Sequence, residues 1–160
     1  MNNFAIINTP IGYLKIKTNS TSVNGIEFLN PKDKLTEVTP QKKYSYIMNN
    51  TIKELSEYFF ENRTNFTVKI QISLAPFYRK VLSKVAEVPF GKTASYKDIA
   101  IKLKNENAAR VVGTANKKNP IPIIIPCHRI ISSSGKLGGY NSGFKKKIFL
   151  LKHEGLHFDF

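Results

Sequence analysis

Between Asn119 and Arg129 the chain reads Asn-Pro-Ile-Pro-Ile-Ile-Ile-Pro-Cys-His-Arg, with prolines at 120, 122 and 126. Proline fixes its own φ and removes a backbone donor, so this stretch is excluded from helix interiors and central strands. Its isoleucines make it the longest apolar run of the chain. A stiff apolar approach ending in adjacent cysteine and histidine is an odd surface loop. It is a workable way to hold a thiol at the base of a pocket. The thiolate is the nucleophilic form of cysteine, and a nearby His, Arg or helix N-terminus favours it. Against this stands the commoner use of a lone cysteine as a small buried hydrophobe. Adjacency alone does not bring His128 onto Cys127, because neighbours in extended backbone point opposite ways.

The same segment excludes several classes. Cys127 is the only cysteine, which rules out a disulfide framework. The apolar run is far too short to span a bilayer. Met1-Asn2-Asn3-Phe4 lacks the charged region and apolar core of a secretory signal, so a reducing, cytoplasmic compartment is expected. One cysteine and scattered histidines make no convincing zinc site, and neither metal nor cofactor is expected.

Charge is distributed unevenly. The 25 basic and 11 acidic residues leave a net +14. Sixteen of the basic and five of the acidic residues follow residue 72, so the second half carries +11. That asymmetry suits a polyanionic partner, although a lysine-rich background dispersed over the surface gives the same total.

Periodicity divides the chain. Residues 4–8, 12–17 and 23–29 read as strands, with Thr9-Pro10-Ile11 as a hairpin turn and Asn24-Gly25 as a bend or bulge. Residues 30–41 read as loop, 44–62 as a helix and 66–72 as a further strand. From Leu74 the pattern turns helical, with Phe77, Val81, Val85 and Val88 on one stripe ended by Pro89 and Gly91. Ser95-x-x-Asp98 resembles a capping box that opens a helix with Tyr96, Ile99, Ala100 and Leu103 on its apolar face. After a polar break, with Asn107 as N-cap, a third helix places Ala108, Val111, Val112 and Ala115 together. Two short helices across a tight turn suggest helix-turn-helix. The opposite face of the third helix carries Arg110, Gly113 and Lys117 beside the small Ala109. Such a face lets backbone approach a groove while one long cation reaches in; a packed helix pair with a solvated arginine is the alternative.

With these blocks in place, residues 89–155 resemble the O6-alkylguanine-DNA alkyltransferases, or methylated-DNA–protein-cysteine methyltransferases. The matching blocks run in the family's order: Pro89-Phe90-Gly91 with Ser95-Tyr96, Ala108-Ala109-Arg110-Val111-Val112-Gly113, Asn119-Pro120, Pro126-Cys127-His128-Arg129, Gly135 with Gly138-Gly139-Tyr140, and Leu150-Leu151-x-x-Glu154. The resemblance implies an α+β protein with two domains. A small β-sheet-plus-helix domain of ribonuclease H-like type covers 1–72. A mainly helical, winged helix-turn-helix-like domain covers 73–160. It further implies a monomeric, single-turnover protein that flips O6-alkylguanine out of double-stranded DNA, approached from the minor groove, and moves the alkyl group irreversibly to its own cysteine. O4-methylthymine is a second substrate that the resemblance leaves open.

Carried onto this chain, the resemblance makes Cys127 the alkyl acceptor. His128 takes its proton through a water, Glu154 orients His128, and Tyr96 donates to the leaving guanine. Arg110 fills the space left in the base stack, with Ala109, Gly113, Ser95 and Arg129 also at the DNA. Asn119, Pro122 and Ile130 support the pocket, and Tyr140 with the Asn141 backbone amide forms its lid. A pairing of Glu154 with helix lysines alone is the competing reading of that residue. Two rival functions remain. A lesion-binding module of the same fold would lack the acceptor, and a Cys-His hydrolase would turn over repeatedly.

Overall fold

In a computed structural model that describes residues 4–33 and 43–158, the first hairpin closes at Pro10-Ile11. Strands β1 (Phe4–Thr9) and β2 (Gly12–Thr18) pair antiparallel with Thr9 opposite Gly12, leaving a two-residue loop. Gly12 adopts a φ of +106°, and its carbonyl accepts from Thr9 Oγ1 at 2.6 Å. Strand β3 (Val23–Phe28) joins β2 antiparallel. Lys17 faces Gly25 while Thr18 faces Val23, so Asn24 is the extra residue of a bulge. Alternation buries Leu14 and Ile16 on one sheet face with Ala5, Val23 and Ile26. Helix α1 (Tyr46–Phe60), capped by Ser45, packs on this sheet and buries Met48, Leu55 and Phe59.

The strand expected over 66–72 does not form. The segment makes one bridge, Ile70 beside Val23, with Val23 N donating to Lys69 O and Gln71 N to Val23 O, both at 2.8 Å. The buried Glu54 carboxylate explains the interruption. It accepts from the backbone N–H groups of Thr67 and Val68 at 2.8 and 3.3 Å, and from the Thr67 hydroxyl. Donors that a ladder needs are taken by a side chain. The loop expected over 30–41 is described only to Asp33; its remainder lies outside the described residues.

The chain divides into two units, Met1–Ser73 and Leu74–Phe160. The second begins with α2 (Pro76–Ala86), whose proline occupies the first turn, where no N–H partner is required. Val81, Leu82, Val85 and Val88 are buried, whereas Phe77, at the start of the stripe, is 39% exposed. A short β4 (Ala94–Ser95) leads directly into α3 (Tyr96–Lys102), and both halves of the Ser95/Asp98 capping box are present. A 3-10 turn at Glu106–Ala108 then feeds α4 (Ala109–Lys117). Asn107 therefore lies inside that turn rather than capping α4. Helices α2, α3 and α4 pack together through Ile99, Ala100, Val112 and Ala115. Val111, expected in that core, is instead 37% exposed, its neighbour Val112 taking the buried place. Strand β5 (Ile130–Ile131) pairs parallel with β4, and α5 (Phe144–His153) closes the unit. The architecture is thus α+β, a small sheet with one helix followed by a helical unit. No helix among the described residues is long and apolar enough to cross a membrane.

Because Ser95 satisfies an orphan donor at the start of α3, Ser95→Ala is expected to cost about 1 kcal/mol. The check is a lowered urea midpoint with an unchanged slope.

Candidate active site around Cys127

The proline-rich segment is a buried knot. Asn119 holds it from both sides: Nδ2 donates to Ile125 O at 2.9 Å, and Oδ1 accepts from Ile121 N at 3.0 Å. Ile125 N closes the turn onto Ile121 O at 2.9 Å, and Pro122 bridges to Ile125. Ile123 takes a φ of +75°, a backbone region that β-branched residues rarely occupy. Burial of Ile121, Ile123 and Ile125, none more than 1% exposed, offsets that strain. The segment delivers the chain through Pro126 into a 3-10 turn at Cys127–Arg129. The turn, not an extended strand, sets the directions of the three side chains.

Behind the cysteine is a buried charge cluster. His128 Nε2 lies 2.8 Å from Glu154 Oε1. Arg129 grips the same carboxylate with two bonds, Nε to Oε2 at 2.8 Å and Nη2 to Oε1 at 2.9 Å. Its Nη1 donates to Val88 O at 2.6 Å. Glu154 sits just past the end of α5, where the helix dipole is unfavourable to an anion. Gly155, with a φ of +84°, fixes that position by ending the helix in a Schellman turn. Gly155 N donates to Lys152 O, and Leu156 N to Leu151 O. Burial alone would raise the Glu154 carboxyl, but the hydrogen bonds from His128 and Arg129 outweigh it and hold the group down at about 2. An ionised Glu154 needs a proton on His128 Nε2. Burial also lowers the His128 pKa, so the ring is neutral and Nδ1 is left as its acceptor. That Nδ1 is buried with no hydrogen-bond partner among the described residues.

Cys127 is 6% exposed. Burial pushes its thiol up, opposed by the Asn119 side chain, the nearby Lys147 cation and Tyr140. Lys147 is fully buried on α5, with Nζ donating to Ile130 O at 2.7 Å and Gly139 O at 3.2 Å. Burial brings the Lys147 ammonium down to about 8, while Cys127 acts to raise it. In front of the sulfur is a cavity of about 280 Å³, lined by Tyr96, Gly113, Asn116, Lys117 and the segment 138–141 besides Cys127. Burial and the neighbouring cysteine raise the Tyr96 phenol, which keeps it a proton donor. Gly138, at a φ of +68°, passes so close that an added Cβ would lie 3.1 Å from the Tyr96 hydroxyl. A cavity this size is near the lower end of small-molecule sites, about 300–1,000 Å³. Its lining includes a thiol and a phenol donor, and the residue after the thiol is a buried neutral imidazole.

Of the residues singled out from sequence, Tyr96, Gly113, Cys127, Tyr140 and Asn141 meet at this cavity. Asn119, Pro122 and Ile130 do not line it; Asn119 holds the turn that leads to Cys127, and Pro122 and Ile130 are buried. Arg110 is exposed on α4, and Ala109 is half-buried beside it. Ser95 Oγ accepts from Asp98 N, which leaves its proton free to donate outward. Arg129 is a correction. Expected at the DNA, it is 5% exposed, and Nε, Nη1 and Nη2 all donate to Glu154 or Val88, so its charge is spent inside. Asn116 and Lys147 were missed. Lys147 is hidden in the run Lys145-Lys146-Lys147, yet it shares a helical face with Leu150, Leu151 and Glu154, the signal that could have marked it. Among the described residues no group of three His, Cys, Asp or Glu could hold a metal ion.

Residues 76–156 match the family model for the 6-O-methylguanine DNA methyltransferase, DNA binding domain. The chain is 36% identical to a methylated-DNA–protein-cysteine methyltransferase of Methanosarcina barkeri, covering 94% of this chain and 96% of the relative. A crystal structure of Mycobacterium tuberculosis OGT in complex with DNA superposes with a TM-score of 0.83 at 34% identity, over 94% of this chain and 91% of that one. An O6-methylguanine DNA methyltransferase from Methanococcus jannaschii gives a TM-score of 0.67 at 29% identity, over 96% and 95% of the two chains.

The cluster predicts an acid-sensitive fold. Because folding lowers the Glu154 pKa to about 2, its stabilisation is complete above the ordinary carboxylate range and is lost as pH falls toward 2. Glu154→Gln removes that pH dependence and leaves Arg129 buried without its counter-charge, at a cost of about 3–5 kcal/mol at neutral pH. Urea unfolding of both proteins across that pH range tests both statements.

Proposed function

The chain belongs to the 6-O-methylguanine DNA methyltransferase family, and we propose that it repairs O6-alkylguanine in duplex DNA by moving the alkyl group to Cys127, once per molecule. The observation that carries this reading is the buried Cys127 at the base of a cavity walled by Tyr96, with the Glu154-bound His128 next in the chain. Displacement at an alkyl carbon calls for a soft anionic nucleophile and a stabilised leaving group. His128 Nδ1 is the base of suitable tautomer, receiving the Cys127 proton through one water. Glu154 fixes the ring through Nε2 and stabilises the imidazolium that forms, as in other nucleophiles activated by an oriented base. Lys147 places a cation beside the thiolate. The sulfur then attacks the alkyl carbon, the C–O6 bond breaks, and its electron pair passes to the purine. Tyr96 donates to the purine nitrogen where that charge gathers, in a cavity where such donors count most. The S–C bond is a thioether with no leaving group for a second turnover. The protein is consumed.

The DNA face is assigned to α4. Small residues Ala109 and Gly113 let its backbone approach the minor groove, and exposed Arg110 occupies the stack from which the base has turned out. Most of the +11 charge of the second half supplies salt-sensitive, sequence-independent affinity for phosphate. We place the protein in the cytoplasm, where thiols are kept reduced, and assign it no metal or cofactor.

Incubation with duplex DNA containing O6-methylguanine is expected to add one methyl group to the intact mass, mapping to Cys127 and absent from Cys127→Ala. An unchanged mass in protein that binds the lesion would sink the reading in favour of lesion binding alone; released product in excess of protein would favour a hydrolase. Arg110→Ala is expected to weaken DNA binding while a small thiol reagent still labels Cys127 at the wild-type rate. Equal loss of both would make Arg110 a support of the fold.

A further inference from the structure

Lysine is rarely buried in full, and Lys147 on α5 is 0% exposed. It acts on Cys127 through its charge, but its hydrogen bonds go elsewhere. Nζ donates to Ile130 O at 2.7 Å and to Gly139 O at 3.2 Å. Both acceptors are main chain, and both lie on stretches that flank Tyr96. Ile130 pairs in register with Ala94 on β4, the strand that runs directly into Tyr96. Gly139 follows Gly138, whose backbone packs on the phenol: a Cβ added there would lie 3.1 Å from the Tyr96 hydroxyl and 3.4 Å from Cε2. One ammonium thus holds the strand beside the start of α3 and the segment against the hydroxyl. Burying that ammonium costs desolvation, which its bonds to the two carbonyls offset only while both stay in reach.

We propose that Lys147 is a positioning residue for the leaving-group step: by fixing Ile130 O and Gly139 O relative to each other, it holds the Tyr96 hydroxyl where it donates to the departing purine. The assignment rests on the alkyl-transfer reading. It is separate from the charge effect on the thiol, which acts on the attacking atom whether or not a base is present. A donor stabilises developing charge when it is aimed beforehand at the atom that will carry it. A misplacement of about 1 Å costs up to about 100-fold in rate, so a phenol whose flanking main chain is released loses much of its effect without losing its hydroxyl.

The test is a double-mutant cycle between Lys147→Met and Tyr96→Phe, read by single-turnover methyl transfer from duplex DNA containing O6-methylguanine. Labelling of Cys127 by iodoacetamide, which needs no phenol donor, reports the charge effect on the thiol by itself, and thermal melts confirm folding. With Tyr96 present, Lys147→Met is expected to slow transfer about tenfold more than it slows labelling. In the Tyr96→Phe background it slows transfer no more than it slows labelling, because no donor is left to misplace. Equal slowing of transfer in both backgrounds overturns the assignment, since Lys147 would then act on the thiol or the fold alone. A Tyr96→Phe protein that transfers as fast as the wild type overturns it too. If the wild type takes no methyl from O6-methylguanine, the alkyl-transfer reading itself falls and the assignment with it. Lys147→Gln, which also removes the cation, supplies the same cycle if Lys147→Met does not fold.

Discussion

The Glu154 carboxylate is the point on which the second unit depends. One buried anion accepts from two cationic or polar neighbours that lie side by side in the chain, and each bond does something different. The pair of bonds from Arg129 makes the anion tolerable in an apolar interior and ties the 3-10 turn to the end of α5. The bond to His128 then fixes which ring nitrogen is free. Stability and chemistry draw on the same carboxylate, so a substitution there cannot separate them. Arg129 supplies the separation: as a neighbour that takes no proton, it keeps Glu154 ionised while His128 changes charge.

Around this cluster, polar groups act on the thiol. The Asn119 and Tyr140 side chains and the Lys147 charge each favour its ionised form. All three oppose what burial does to the thiol, which by itself favours the neutral form. Burial outweighs them, so the thiol's pKa stays above its ordinary value. Asn119 joins structure and reactivity, since the side chain that acts on the thiol also holds the Ile121–Ile125 turn through both of its amide atoms.

Much of this was legible before any coordinates. The prolines at 120, 122 and 126 announced a rigid non-helical segment, and Ser95-x-x-Asp98 announced the start of α3. What sequence could not convey was direction. Arg129 reads as one more cation in a basic half, and only its position opposite Glu154 turns it inward. The 66–72 segment alternates like a strand, but a glutamate twelve or more residues earlier competes for its backbone donors. Val111 has the right spacing for the core of α4, yet it lies exposed while its neighbour Val112 is buried. For Arg129 and the 66–72 segment a local pattern was overridden by a partner distant in sequence, and single-residue periodicity has no term for such partners.

Part of the cavity lining is bare backbone. Gly138 and Gly139 bring no side chains, and the second is held by Lys147 at 3.2 Å while the same ammonium holds Ile130 O at 2.7 Å. Whatever the cavity holds meets main chain, not side chains, at these two glycines. The room there is then set by where the backbone runs, and a buried ammonium tethers that backbone to the strand that follows Cys127.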